Sequence, residues 1–365
     1  PQVKFRCERD LLVDALNIAG KAVTNRGTLP VLHGLRLDLS SNELVITGSD
    51  LDLTITVSLE VGGEKNGITV VPAKLLADVV RAVEPGAVDI TAEDTNLHVV
   101  AGRSEFSLRT IPKDEYPNFE EPTTSPVTVD GENLVRALEQ VTPAASSDDS
   151  RPILTGVYMV AEKKGFRLVA TDSYRLAVRD MPDASLLEGQ PPILVPSRAL
   201  TELARLIEPN DEVSLYLSNR EASFVVQNVR MTTRLIDGEF PDYQRLVPDS
   251  NPNKLTANRG ELFDAVRRVR LLAQEATPVR LEMSNSGLEL IAKTQDIGEA
   301  HEIVDASYSG DELVIAFNAE YLLKGLEIAP GDEVTLETTD NQKPAVLKAS
   351  DHPEFLYLLM PVRIS

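Results

Sequence analysis

Cysteine is almost absent from this sequence. Cys7 stands alone in 365 residues, which excludes an internal disulfide and any cysteine metal cluster. A reducing, cytoplasmic compartment is the expectation, with Cys7 as a small core residue rather than a nucleophile. Long apolar runs are missing too. The longest, Phe355 to Val362, is broken by Pro361 and falls far short of the ~18 residues that a membrane-spanning helix needs. No membrane partner and no signal peptide are expected. Histidine is scarce, and His33, His98, His301 and His352 fall in separate elements without metal-ligand spacing. There is no Gly-rich phosphate loop, no His-Glu-x-x-His and no Gly-x-Ser-x-Gly. Positive charge is in deficit, with 36 Lys and Arg against 57 Asp and Glu and a net charge of −21. That balance favours solubility and argues against tight nucleic-acid binding.

Hydrophobic residues make up 42% of the chain, enough to build cores and to exclude a disordered polymer. The length allows two to three domains at about 100–200 residues each. An internal repeat sharpens that count. Val71–Gly86, Val195–Asn210 and Phe317–Gly331 match one another at offsets of 124 and 122 residues. In the first two, the opening Pro72 or Pro196 precedes the closing Pro85 or Pro209 by 13. Each copy predicts a helix with Pro or Asn at its start, and the strands around Val88, Val213 and Val334 follow. A second helix recurs, with one apolar face at Leu12, Ala15, Leu16 and Ala19. That face returns at Leu134, Ala137, Leu138 and Val141, then at Leu262, Ala265, Val266 and Val269. Strands around Leu44–Asp50, Leu168–Asp172 and Leu290–Thr294 form a third repeated element. The chain therefore reads as three copies of one α+β unit, over residues 1–122, 126–248 and 253–365. Pro-rich stretches at Glu121–Pro126 and Pro248–Asn253 join them.

Three such copies resemble the bacterial β sliding clamp family, the processivity factors of the replicative DNA polymerase. The most specific match is Ala170-Thr171-Asp172-Ser173-Tyr174-Arg175-Leu176-Ala177, similar to the family's Ala-Thr-Asp-x-x-Arg-Leu-Ala. Asp237–Tyr243, Met360-Pro361-Val362-Arg363 and Thr28–Leu32 add to it in the family's order. The resemblance implies DNA-clamp domains of two helices on antiparallel sheets, and a head-to-tail homodimer that forms a six-domain ring around duplex DNA without sequence preference. It implies no enzyme activity and no cofactor.

The resemblance also implies three sets of residues. A hydrophobic pocket for partner peptides would use Leu154, Thr171, Ser173, Tyr174, Arg175 and Leu176 from one stretch. Pro241, Arg245, Leu246 and Pro344 would join them, with Leu358, Met360, Pro361, Val362 and Arg363 near the end. Apolar area there is worth roughly 25 cal/mol per Å², and methionine adapts to several ligands. The implied clients are the polymerase α subunit, the clamp loader, repair polymerases and ligase-type proteins, through motifs like Gln-x-x-Leu-Phe. Residues facing DNA would be Arg26, Lys74, Arg81, Arg136, Arg198, Arg205, Arg267 and Lys324. The dimer contact would pair Phe106 and Leu108, alternate residues on one strand, with Leu271 and Leu272.

The charge deficit bears on this reading. The six expected helices (8–22, 72–84, 131–145, 196–208, 259–275 and 318–329) hold 12 basic and 14 acidic residues, against 24 and 43 elsewhere. Lys74 and Arg81 share a helix face, and Arg198 and Arg205 repeat the pair, while Glu320 and Glu327 break it in the third copy. A ring held by topology needs only weak phosphate contact. Pro152 and Ile153 stand where relatives stack tyrosines, and Asp148 and Asp149 make that loop acidic. The alternatives are a three-repeat protein-binding scaffold without DNA, and an enzyme using Asp50 and Asp172, which recur at equivalent positions where the third copy has Gln295. Strand-end turns are the simpler role for those aspartates.

Overall fold

The computed structural model describes residues 3–24, 29–163, 165–182, 184–274 and 277–364. Six α-helices form among them: α1 (Arg9–Gly20), α2 (Ala73–Ala82), α3 (Gly131–Val141), α4 (Ser197–Leu206), α5 (Arg259–Val269) and α6 (Ala319–Ile328). Each expected helix is present, shorter by at least two residues. The tails of α3 and α5 tighten into 3-10 turns at Thr142–Ala144 and Arg270–Leu272. The three apolar faces read from spacing are all buried. Asn258 caps α5 by accepting the Glu261 N–H at 2.9 Å, and Asn318 caps α6 through the Tyr321 N–H at 3.2 Å. Cys7 departs from expectation. It lies half-buried on strand Val3–Glu8, where burial, with Glu8 and Asp89 nearby, pushes its thiol up to about 12, so it is no nucleophile.

The chain divides into two compact units, residues 1–132 with 205–235, and residues 133–204 with 236–365. Strand pairing, antiparallel throughout the described residues, explains why the second repeat is shared between them. In the first unit, Val229–Arg234 pairs with Leu53–Glu60, so strands of the first two repeats fuse into an eight-stranded sheet. That unit also holds a five-stranded sheet ending in the edge strand Ser104–Arg109, with α1 and α2 packed together. In the second unit, Arg175–Pro182 pairs with His352–Leu359 within a nine-stranded sheet. A four-stranded sheet there ends in the edge strand Gly298–Val304, and α5 packs on it and on α6.

Candidate functional site

The site builds outward from one turn in the second unit. Asp172 follows the strand Gly165–Thr171, and its Oδ1 accepts the N–H groups of Tyr174 at 2.9 Å and Arg175 at 3.0 Å. The Thr171 hydroxyl donates to the Arg175 carbonyl at 2.6 Å and accepts the Ser173 N–H at 3.2 Å. Ser173 is thereby held at φ +81°, a left-handed conformation that a non-glycine residue adopts only when its surroundings fix it. The turn pushes Tyr174 outward, 58% exposed. It also turns Arg175 back so that its Nε meets Asp172 Oδ2 at 3.1 Å.

Arg175 then lies over the ring of Tyr321, and Tyr174 stacks on the same ring with centroids 6.3 Å apart. The Tyr357 hydroxyl donates to the Tyr321 carbonyl at 2.9 Å, and burial pushes that phenol up to about 12, so it stays neutral. Tyr321 was absent from the residues read in the sequence. Its signal was legible: an aromatic on the third repeat's helix where the first repeat has Leu75 and the second Ala199.

Beneath the turn, Leu176 and Leu358 pack with Val169, Val178, Tyr243 and Val346 in one buried cluster. Leu154 and Thr171 are buried as well. These four expected lining residues therefore sit below the surface and shape its floor. Alternation along the strands sends Thr171, Leu176 and Leu358 inward, and Leu154 is buried from the 3-10 turn Pro152–Thr155. Met360 packs half-buried against the cluster, and its N–H donates to the Tyr174 carbonyl at 3.0 Å. Val362, with its N–H to the Ala316 carbonyl at 2.8 Å, pins the following residues. Pro361, Val362 and Pro344 are half-buried, and Pro241 and Arg363 are exposed. Arg245 is also exposed and pairs with Asp242 at 2.9 Å, beside exposed Leu246. The result is an apolar floor rimmed by tyrosine and arginine, with no cluster of carboxylates, histidines and cysteine that could hold a metal among the described residues.

Asp50 in the first unit makes the same kind of turn, accepting the N–H groups of Asp52 at 3.0 Å and Leu53 at 2.7 Å, with Leu51 at φ +78°. Asp50 and Asp172 are thus turn formers, the simpler of the two roles read from sequence. Asp148 likewise holds the Ser150 N–H and hydroxyl, which lowers its carboxyl below the usual range.

The remaining expected residues fall as follows. Arg26 and Thr28 lie outside the described residues, as does Glu275. Lys74, Arg81, Arg136, Arg198, Arg205 and Arg267 are exposed on helices, and Lys324 is half-buried. Several carry acidic partners: Arg81 with Asp78 at 3.2 Å, Arg267 with Asp264 at 3.6 Å and Lys324 with Glu327 at 2.8 Å. Neighbouring Arg270 meets Glu320 at 2.7 Å. On the edge strand Ser104–Arg109, Phe106 is 37% exposed but Leu108 is buried. Leu271 is 74% exposed. Leu272 turns inward, its carbonyl accepting the Thr294 hydroxyl at 2.6 Å and its side chain closing on Gly298.

Comparison with known proteins agrees with this fold. Models of the DNA polymerase III beta subunit match its N-terminal domain at residues 3–120, its central domain at 128–242 and its C-terminal domain at 244–363. The chain is 36% identical to the beta sliding clamp of Streptomyces coelicolor, covering 100% of both chains. The sliding clamp of Bacillus subtilis superposes with a TM-score of 0.95 at 28% identity, covering 100% of each. That of Bartonella birtlesii, solved bound to griselimycin, also gives 0.95, at 31% identity and 100% coverage of each. The sequence resemblance, the threefold α+β repeat and these matches agree: the chain belongs to the beta sliding clamp family of DNA polymerase III beta subunits.

Proposed function

We propose that two copies of this chain join head to tail into a six-domain ring around duplex DNA. The ring tethers the replicative polymerase through the pocket formed by Tyr174, Arg175, Met360 and their neighbours. As a clamp the protein is a non-catalytic processivity factor, with no cofactor required for that role. Residues 1–122, 126–248 and 253–365 are its three domains. Its exposed helix arginines and lysines face DNA, and their acidic partners keep phosphate contact weak enough for sliding. Few phosphates neutralised means little counterion release and a shallow salt dependence. Phe106 and Leu271, beside the two sheet edges Ser104–Arg109 and Gly298–Val304, are the subunit contacts. Pairing those edges would remove strands otherwise open to aggregation. Clients reach the pocket through Gln-x-x-Leu-Phe-like peptides. They include the polymerase α subunit, the clamp loader, repair polymerases and ligase-type proteins, all in the cytoplasm. No helix among the described residues is long and apolar enough to cross a membrane.

The observation that carries the tethering role is the exposed Tyr174 and the half-buried Met360, joined by a backbone hydrogen bond, above a buried apolar floor. Image averages of the purified protein should show a six-lobed ring with an open centre at about 80 kDa, twice the chain mass of 39.9 kDa. Calorimetry should show that Met360→Ala and Tyr174→Ala each weaken binding of a Gln-x-x-Leu-Phe peptide in folded protein. A compact particle, or unchanged affinity in both variants, would overturn the reading.

A further inference from the structure

The apolar surface does not stop at the pocket. Strand register places Thr171, Leu176, Leu358 and Val346 in one row across the nine-stranded sheet. Two residues further along the same strands, on the same face and about 7 Å away, runs a second row: Tyr158, Val169, Val178 and Leu356. Apart from Thr171, the residues of both rows belong to one buried cluster or pack against it. Over the Tyr158 end of the second row the ring of Phe240 lies parallel, centroids 4.8 Å apart and planes 11° from parallel. Phe240 directly precedes Pro241, a pocket residue. Tyr158 and Phe240 are only partly buried, and the Tyr158 hydroxyl has no hydrogen-bond partner among the described residues. Exposed Glu239, next to Phe240, and Asp237, three residues before it, likewise carry no partner among the described residues. A half-exposed tyrosine keeps an apolar ring and a polar hydroxyl at one surface, the combination that interfaces favour.

We propose that the Tyr158–Phe240 ledge is an extension of the pocket. It takes the flank of a client peptide in which an aromatic side chain is followed by lysine or arginine. The inference rests on the peptide-pocket reading. Its two anchors are the aromatic pair, continuous with the pocket floor, and the exposed carboxylates that precede Phe240 in the chain, which complement a basic flank. Partners sharing one core motif would then be ranked by their flanks rather than by the motif.

The test compares three synthetic peptides by calorimetry on the full chain: a core Gln-Leu-Asp-Leu-Phe, and the same core extended by Gly-Phe-Lys-Lys at either end. One extended peptide should bind about five- to tenfold more tightly than the core, in line with one added aromatic contact. That gain should shrink with salt. On Tyr158→Ala the extended peptides should bind no more tightly than the core peptide does on the same variant. Glu239→Lys, an exposed substitution that spares packing, should remove part of the same gain. Equal affinity of all three peptides, or a gain that survives both substitutions, would overturn the ledge while leaving the pocket intact. A core peptide that fails to bind would overturn both.

Discussion

The Arg175 guanidinium carbon lies 4.3 Å from the centre of the Tyr321 ring. The contact joins a turn of the second repeat to a helix of the third within one compact unit. A cation seated on an aromatic face gains about 0.5–1 kcal/mol where exposed and more where desolvated, and here Asp172 holds it in place. Tyr321→Leu should therefore weaken core-peptide binding about threefold to tenfold by calorimetry, with the melting temperature nearly unchanged. An affinity equal to wild type would show that Arg175 needs no platform.

Leu271 and Leu272 should separate. Leu271→Ala should shift the dimer toward monomer in light scattering while leaving stability within about 0.5 kcal/mol, as surface changes do. Leu272→Ala removes packing on Gly298 and should cost about 1–2 kcal/mol in urea unfolding. The reverse assignment of effects would mean that the inward leucine makes the subunit contact.

The aspartate turns give a stability test. Asp50→Ala leaves the Asp52 and Leu53 N–H groups without their acceptor and should lower stability by about 1–2 kcal/mol. Asp50→Asn keeps an acceptor oxygen and should cost less. Asp172→Asn should similarly preserve the fold but loosen Arg175, which appears as weaker peptide binding with little change in melting temperature. No loss of affinity in Asp172→Asn would leave Arg175 held by Tyr321 and Tyr357.

His301 predicts a pH dependence. Its Nδ1 meets Glu289 at 2.9 Å and its Nε2 meets Glu299. A neutral imidazole can donate from one nitrogen only, so both contacts together favour the imidazolium. The bonds to Glu299 and then Glu289 raise the pKa of His301 above its ordinary value, while that of Glu299 is lowered. A raised histidine stabilises the fold fully below its unfolded value of about 6.5 and loses that contribution as pH climbs through the folded value. The stability difference between wild type and His301→Gln should be largest near pH 6 and fade in the alkaline direction. A difference that grows with pH would refute the bridging geometry.

Much of this was readable in the sequence. The apolar faces of α1, α3 and α5 follow from spacing alone, because a helix buries whatever recurs at three and four residues. The helices read from spacing run past Val141 and Val269, where the chain tightens into the 3-10 turns Thr142–Ala144 and Arg270–Leu272 and the period no longer reports the end. The pairing of Val229–Arg234 with Leu53–Glu60 was not legible, since strand partners far apart in sequence leave no local trace. The same holds for the pocket floor. Leu176 and Leu358 look alike in sequence whether they line a cleft or underlie it, and only the alternation of the assembled sheet decides. Arg175 is legible through its motif, and Tyr321 only by setting the repeats side by side, where it replaces Leu75 and Ala199.

The turn shared by Asp50 and Asp172 has a consequence for traffic. Leu51 and Ser173 adopt nearly the same backbone angle, 78° and 81°, yet only the second copy follows with Tyr174 and Arg175, where the first has Asp52 and Leu53. The third has Gln295 in place of the aspartate. One corner, copied along the chain, became a seat only once. A particle with six similar lobes would then offer two berths, so clients arriving at the ring queue for a scarce place rather than spread around it.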